Sequence, residues 1–224
     1  MENGKIFLET LKASGVREVY LPVTEKKSPS PKTEAALQEL KDLREQVLRC
    51  SQCDELVRNR HTVVFGSGNP KADLLFVGEA PGAEEDRQGL PFVGPAGQLL
   101  TKMIQAIQLS REEVFIANVL KCRPPGNRPP LPKEIENCEP YLKKQISLIR
   151  PKLICALGTF AAHTLLKTAS PISALRGKFH LYGRTPVLCT FHPSYLLRSP
   201  SEKKKAWEDL KKIRAFLDEL KREK

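Results

Sequence analysis

A loop rich in carboxylates, GEAPGAEEDRQGLPFVG at residues 78–94, lies in a chain whose formal net charge is +11. Among its glycines and prolines stand four acids: Glu79, Glu84, Glu85 and Asp86. Glycine lets a backbone approach a ligand closely. Neighbouring carboxylates can accept a proton from water or stabilise a developing cation. Acids here can also simply begin a short helix, where they suit the helix dipole, and that is the better interpretation of Glu84.

Three other side chains have the chemistry to complete a site around this loop. Asn118 follows an apolar run, and its amide offers a donor and an acceptor together. His192, before Pro193, can donate a hydrogen bond to an oxygen that gains negative charge. Phe92, between Gly89 and Gly94, can stack on a planar base. Alone, Phe92 would be taken as a core aromatic and Asn118 as a turn former, but their convergence with His192 favours a binding site.

The six cysteines fall into two groups by their surroundings. Cys155 and Cys189 lie in apolar runs and are predicted to be core residues. The other four have polar or proline-rich neighbours: Cys50, Cys53, Cys122 and Cys138. The C-x-x-C pair can present two thiolates to one metal site, and the remaining two would complete four ligands. Spacing does not decide between zinc and iron, although the widely separated third and fourth cysteines favour a [4Fe-4S] cluster.

Alternating apolar segments predict the elements that must position these groups. Strands are predicted in ADLLFVGE, EVFIANVLK, PKLICALG and TPVLCTFHP, with helices between them. This order implies an α/β fold of three layers, α/β/α, with a central, mainly parallel four-stranded sheet. KFHLYGRT is expected to add a small strand or hairpin arm. Ligands bind beyond the carboxyl ends of such strands, so the acidic loop, Asn118 and His192 are expected to converge there.

The ends of the chain are predicted to differ in character. Residues 1–33 are expected to form an N-terminal extension that ends in a linker rich in Pro, Ser and Lys, and residues 34–224 to form one domain. A helix from Glu34 leads towards Cys50. The tail is predicted to be an amphipathic helix that docks on the sheet through five apolar residues: Trp207, Leu210, Ile213, Leu217 and Leu220.

The composition indicates the kind of partner. An excess of 37 Lys and Arg over 26 Asp and Glu favours a polyanion such as nucleic acid. No apolar run approaches the roughly 18 residues of a membrane span, and the N-terminus lacks the pattern of a signal peptide. We therefore expect a cytoplasmic monomer with no membrane association, in which the cysteines stay reduced.

Taken in order, the motifs resemble those of the family 4 uracil-DNA glycosylases, the iron–sulfur branch of their superfamily. The motifs are C-x-x-C, GEAPGAEEDRQGLPFVGPAGQLL, NVLKCRPPGNRPP, the fourth cysteine, LGTFAA and FHPSYLLR, and the match runs roughly from Leu37 to Leu217. The resemblance implies a uracil-DNA glycosylase-like fold and hydrolysis of the bond between uracil and deoxyribose, with release of uracil from single- or double-stranded DNA. It also implies a [4Fe-4S] cluster held by Cys50, Cys53, Cys122 and Cys138.

The reaction passes through a cationic sugar and a uracil that gains negative charge, and the resemblance assigns residues to these needs. The wider superfamily can carry a catalytic Asp where this chain has Ala80, so the carboxylate role passes to Glu85, with Glu79 as the runner-up. His192 is expected to donate to uracil O2. The base is expected to bind Gly78, Ala80, Phe92, Asn118 and His192, and the wedge that enters the duplex to comprise Leu196, Leu197 and Arg198. Phosphate contacts are expected from Arg123, Arg128, Arg176 and Lys178.

Other hypotheses explain part of this pattern. A non-enzymatic iron–sulfur module that binds DNA would account for the charge and the cysteines, but it leaves Glu79, Asn118 and His192 without a role. A superfamily variant with another damaged-base preference stays open. A variant that bonds to the abasic sugar through a histidine in the loop after the second strand is disfavoured, because that loop has none. A zinc hydrolase fails because four thiolates leave no position for water.

Overall fold

The computed structural model of the chain describes residues 31–222. Its helices are α1 Pro31–Leu48, α2 Asp54–Asn59, α3 Ala83–Gln88, α4 Pro95–Ala106, α5 Pro132–Ile149, α6 Thr159–Leu166, α7 Ile172–Leu175, α8 Pro193–Arg198 and α9 Lys203–Arg222. Its strands are β1 Ser67–Gly68, β2 Leu74–Gly78, β3 Phe115–Asn118, β4 Leu153–Leu157, β5 Phe179–Tyr182 and β6 Thr185–Thr190. The predicted extension lies outside the described residues except for its last three, which begin α1.

A central sheet in the order β1-β3-β2-β4-β6-β5 organises the domain. Its four inner strands run parallel, which confirms the predicted three-layer fold and each predicted strand. The sheet has six strands, not four, because an antiparallel strand is added at each edge. The hairpin arm β5 was predicted, whereas the two-residue β1 is too short to show any alternation.

Apolar side chains fill both faces of the sheet. Every residue of β2, β3 and β4 is buried, because helices cover the sheet on both sides. Cys155 and Cys189 are fully buried on adjacent strands, which confirms them as core residues. Helix α9 buries Leu210, Ile213 and Leu217, but Trp207 is 39% exposed. The prediction that Trp207 belongs to the docking face is therefore wrong, because it is turned about 100° from the buried Ala206.

Two helix starts differ slightly from the predictions. Helix α1 begins at Pro31, before the expected Glu34, because proline suits the first turn of a helix. Helix α6 begins at Thr159 with Gly158 in the capping position at φ +85°, so glycine takes the place expected of Thr159. Among residues 31–222, no helix combines the length and the apolar character that crossing a membrane requires.

Candidate active site

The carboxyl ends of β2, β3 and β6 open into one cleft of about 320 Å³. In the parallel ladder Gly78 lies opposite Asn118, and His192 follows β6 by two residues. The cleft is lined by Glu79, Ala80, Pro81, Gly82, Glu85, Phe92, Ala96, Asn118, Pro124, Asn127, Arg128, His192, Ser194 and Arg198. The fold thus brings together seven of the predicted site residues, and Gly78 lies beneath them.

Asn118 presents an unsatisfied amide oxygen at the end of β3. The residue is 1% exposed. Among the buried side-chain oxygen and nitrogen atoms of residues 31–222, only Asn118 Oδ1 lacks a hydrogen-bond partner. Its backbone oxygen accepts a hydrogen bond of 2.8 Å from Lys121 Nζ. A buried polar atom without a partner costs free energy, so this oxygen is suited to an N–H donor brought by a ligand.

Phe92 and Gly78 shape a narrow slot beside Asn118. A Cβ on Gly78 would lie 2.4 Å from Asn118 Oδ1 and 2.5 Å from Phe92 Cζ, so there is no room for a side chain at this position. Phe92 has φ +53°, a conformation that is strained for a bulky residue and is often found at functional sites. Arg111 holds it there, because Nη1 donates to Phe92 O at 3.0 Å and Nη2 to Pro91 O at 2.7 Å.

His192 is a neutral hydrogen-bond donor in this arrangement. Its Nδ1 accepts from the Ser194 backbone N–H at 3.2 Å and lies 2.7 Å from Ser194 Oγ, so the ring proton is assigned to Nε2. Burial, with the nearby Arg198, lowers the pKa of His192 to about 4. The ring packs against Phe92 with 5.6 Å between centroids.

The carboxylates Glu85 and Glu79 lie in different surroundings. Glu85 Oε1 accepts from the backbone N–H groups of Val93 and Gly94 at 2.8 and 2.9 Å, and Oε2 accepts from Gly82 at 3.1 Å. It therefore closes the acidic loop on itself. The Glu79 carboxylate makes no hydrogen bond to any described residue, and burial raises its pKa. Glu84 is exposed and pairs with Arg87, as expected for a helix-starting acid.

The four predicted metal ligands line a second, small apolar cavity of about 20 Å³. Cys50 and Cys53 reach it from the segment between α1 and α2, Cys122 from the loop after β3, and Cys138 from α5. Three sulfurs accept hydrogen bonds: Cys122 from Arg60 Nη1 at 3.2 Å, Cys138 from the Lys121 backbone N–H at 3.3 Å, and Cys53 from Asn137 Nδ2 at 3.5 Å.

The chemistry of this donor set fits a metal group bound by thiolates. Burial raises the pKa of Cys138 to about 12 and also raises the pKa values of Cys53 and Cys122. Thiolates in such surroundings need a bound cation and N–H donors, and the donors are present. In the described part of the chain, no three His, Cys, Asp or Glu side chains meet as ligands of a single metal ion.

Comparison with known proteins agrees with the geometry of the cleft. A family model described as the uracil-DNA glycosylase superfamily matches residues 65–211. Type-4 uracil-DNA glycosylases from Archaeoglobus fulgidus and Sulfurisphaera tokodaii are 43% and 45% identical to this chain over 185 and 184 residues. The alignments cover 79% and 78% of this chain, and 92% and 83% of those proteins. The chain belongs to the uracil-DNA glycosylase superfamily.

The branch of the superfamily follows from a second comparison. A type-5 uracil-DNA glycosylase from Pyrobaculum aerophilum is 29% identical over 187 residues, which cover 69% of this chain and 82% of that protein. The higher identity to the type-4 proteins confirms the resemblance to family 4.

The structure contradicts one part of the wedge expected for this glycosylase family member. Leu196 is 1% exposed and belongs to the hydrophobic core on one face of the sheet, so it is not free to enter a duplex. Leu197, its neighbour, is 43% exposed, and Tyr195 is 36% exposed with its ring 5.1 Å from that of Phe191. On a helix, adjacent residues point in different directions, which the run of apolar letters does not reveal. Arg198 lines the cleft.

Two of the expected phosphate contacts are engaged elsewhere in this glycosylase family member. Arg176 binds the buried Asp209 at 2.7 Å, and Arg128 binds Glu134 at 2.6 Å. Both arginines are charge partners of buried carboxylates, and Arg128 also lines the cleft. Their contact with phosphate stays a prediction.

Three residues that act through their neighbours were not predicted from the sequence. Arg111 holds the Phe92 loop, and Lys121 holds the end of β3. Neither belongs to a local motif that marks such a role, because each acts through hydrogen bonds made in the folded chain. Ser194 sets the ring tautomer of His192, and its place in the stretch FHPSYLLR could have indicated this.

Proposed function

We propose that this chain excises uracil from DNA by hydrolysing the bond between uracil N1 and C1′ of deoxyribose, which leaves an abasic site. The observation that carries the proposal is the cleft itself. It places an unpartnered Asn118 amide oxygen, the ring of Phe92 and a neutral His192 next to two carboxylates. The similarity to type-4 uracil-DNA glycosylases supports the same activity.

Uracil recognition is assigned to Asn118 and Phe92. Uracil that has left the base stack would lie on Phe92, with its N3–H donated to Asn118 Oδ1 and its O4 accepting from the Asn118 amide nitrogen. Cytosine lacks N3–H and carries an amino group at C4. Its amino group would face the Asn118 amide N–H, another donor, and its N3 would face Asn118 Oδ1, another acceptor. Mismatched buried polar groups of this kind give strong discrimination.

Bond cleavage is assigned to His192, Glu79 and Glu85. As the C1′–N1 bond breaks, the electron pair stays with uracil, and His192 Nε2–H donates to O2 where negative charge collects. The Glu85 carboxylate, held by three backbone N–H groups, stabilises the positive charge on the sugar. Glu79 accepts a proton from the water whose oxygen bonds to C1′, because its carboxylate is free of other partners and its raised pKa makes it more basic. The departing uracil anion finally takes up a proton.

We further propose that Cys50, Cys53, Cys122 and Cys138 hold a [4Fe-4S] cluster. The shared cavity and the N–H donors to its sulfurs support this assignment. The wide separation of Cys122 and Cys138 in the sequence favours a cluster over one zinc ion, because tetrathiolate zinc sites more often use two tight C-x-x-C pairs. The cluster would supply structural cross-linking of α1, α2, α5 and the end of β3.

Contact with DNA is assigned to the exposed part of α8 and the basic surface. Leu197 would enter the space left by the uracil nucleotide, next to Arg198, and we propose that the substrate is single- or double-stranded DNA.

We also propose a monomer that works in the cytoplasm, a reducing compartment in which its free cysteines persist.

The test is excision from an oligonucleotide that carries one uracil, with alkali-labile strand breaks as the readout. The wild-type chain should yield breaks at uracil only, and a panel with hypoxanthine, xanthine and thymine opposite guanine defines the base preference. Asn118→Asp should lose discrimination between uracil and cytosine, since its carboxylate no longer donates to O4. Intact strands for every base under broad conditions would instead support a non-enzymatic DNA-binding module.

A further inference from the structure

Lys121 is a buried cation that the uracil chemistry does not use. Its side chain is 1% exposed and lines the cysteine cavity. Its ammonium donates to Asn118 O at 2.8 Å and to Gln145 Oε1 at 2.6 Å. Both acceptors are uncharged, so these hydrogen bonds satisfy the donors without balancing the charge.

Other buried charges of the described chain have obvious compensation. Glu134 pairs with Arg128 and Asp209 pairs with Arg176. Asp86 accepts hydrogen bonds from the backbone N–H groups of His61 and Thr62. Within residues 31–222 no carboxylate forms an ion pair with Lys121, although burying an ammonium without an opposite charge is costly. A carboxylate therefore does not balance the charge of Lys121.

The cysteine cavity is the place where a compensating negative charge can reside. The Lys121 backbone N–H donates to Cys138 Sγ at 3.3 Å, and Cys122 is its neighbour in the chain. Four thiolates carry more negative charge than a zinc ion or an iron–sulfur core carries positive charge, so the complete metal group is an anion. The half-buried Arg60, whose Nη1 donates to Cys122 Sγ, is a second cation at this cavity. We infer that Lys121 is the fully buried counter-charge of the cysteine-bound metal group and a positioning residue that links this group to Asn118. The inference rests on the proposed metal site.

Lys121 is also connected by hydrogen bonds to the end of β3, the strand that carries Asn118. Beyond the last paired residues of β2 and β3, Val119 N donates to Gly78 O and Leu120 N to Glu79 O, both at 2.9 Å. On the other side, Gln145 Nε2 donates to Phe65 O at 2.8 Å. The Lys121 ammonium, bonded to Asn118 O, and the Lys121 backbone N–H, bonded to Cys138 Sγ, thus fix the backbone between Asn118 and Cys122, on which the direction of the Asn118 amide depends.

The experiment compares Lys121→Met with Lys133→Met in the full chain purified with its iron. Lys133 is an exposed lysine at the start of α5, so its variant controls for loss of one positive charge. Three quantities are measured: iron per chain, the rate at which the visible absorbance decays with a chelator, and the reduction potential of the cluster. Hydrogen exchange at Val119 and Leu120 reports on the strand end.

Lys121→Met should lose its iron about tenfold faster than the control, which is the effect of removing one interaction with a charged group. Its reduction potential should become more negative, because reduction adds negative charge that Lys121 no longer offsets. If Lys121 had only a packing role, its replacement would not consistently make the reduction potential more negative. Amide exchange at Val119 and Leu120 should also be faster.

If Lys121→Met does not fold, Lys121→Gln is used instead, because it removes the charge and keeps a hydrogen-bond donor. It should show the same faster loss of iron and the same more negative reduction potential. Iron lifetime and potential equal to those of Lys133→Met would overturn the role of Lys121 while leaving the cluster in place. A wild-type preparation that binds no metal would instead refute the metal site itself.

Discussion

At the scale of single residues, the two carboxylates of the acidic loop have separate tasks. Glu85 was the preferred catalytic carboxylate by resemblance, yet both its oxygens accept backbone hydrogen bonds that hold the loop. Glu79 has no such partners, and burial raises its pKa. Both carboxylates line the cleft, so a fixed anion and a proton acceptor are available side by side.

Glu79→Gln is expected to slow single-turnover excision by about a hundredfold or more while the thermal unfolding midpoint stays near that of the wild type. Glu85→Gln should slow excision and also lower the midpoint, because an amide group cannot accept from all three backbone N–H groups. Glu84→Gln, at an exposed position paired with Arg87, is the matched control and should be fully active. Full activity of Glu79→Gln would assign proton transfer to another group.

His192 makes stability depend on pH. Its pKa is about 4 in the folded chain, against an ordinary value of about 6.5 when unfolded, so the unfolded state binds the proton more readily. Stability from this residue is present above about pH 6.5 and is lost as the pH falls towards 4. Between pH 7 and 5 the loss should be about 2 kcal/mol in the free energy of urea unfolding. His192→Asn should show a smaller difference between these two pH values, and an equal difference would refute the shift.

At the scale of elements, the site is built from strand ends. The parallel register places Gly78 opposite Asn118, and the missing side chain at Gly78 leaves the slot between Asn118 and Phe92 open. Phe92, in the loop before α4, packs its backbone against Gly97. A Cβ on Gly97 would lie 2.0 Å from Phe92 O, so only glycine fits there. Strand register and two close backbone approaches therefore decide the shape of the base slot.

Gly78→Ala is expected to reduce excision at least about a hundredfold, because the new methyl group would displace Asn118 Oδ1 or the Phe92 ring. Gly183→Ala is the control. Gly183 lies in the β5–β6 turn with φ +57° and open space around it, so its variant should cost about 1 kcal/mol of stability and leave excision unchanged. Steady-state excision and thermal unfolding are measured for both, and wild-type excision by Gly78→Ala would show that the slot does not receive the base.

At the scale of the whole molecule, the cysteine cavity joins distant parts of the chain. It collects residues from α1 to α5 and so connects the N-terminal helices to the end of β3. The net charge of +11 favours DNA as the partner, while Glu79 and Glu85 of the acidic loop line the cleft, where they would stabilise the sugar that becomes positive during the proposed reaction. Opposite charges thus serve binding and chemistry at different places.

Cys138→Ala is expected to bind little or no iron and to unfold on the order of 10 °C below the wild type, because the link between α5 and the other segments is lost. Cys155→Ala, at a fully buried position in β4, is the matched control. It should keep its full iron content and show a smaller decrease. Iron analysis and thermal unfolding followed by circular dichroism measure both effects, and equal iron in the two variants would exclude Cys138 as a ligand.

Most of the fold could be predicted from the sequence because buried parallel strands read as apolar runs. The strands around Phe76, Ile116 and Cys155 are examples, and Asn118 and His192 stand at the strand ends where a parallel sheet binds ligands. The buried state of Leu196 and the exposed state of Trp207 could not be predicted, because both lie in amphipathic stretches whose orientation depends on neighbouring elements.

The amino-acid order by itself determined the four parallel strands of the sheet and the residues at its carboxyl edge, since these follow from local periodicity and connection rules. It also grouped four cysteines by their polar or proline-rich neighbours. Only the tertiary structure decided which carboxylate is free, which nitrogen of His192 carries the proton, and that Lys121 lies buried between Asn118 and Cys138. These features depend on hydrogen bonds and burial between residues far apart in the chain or in different elements. Such contacts exist only after packing, so no local pattern can encode them.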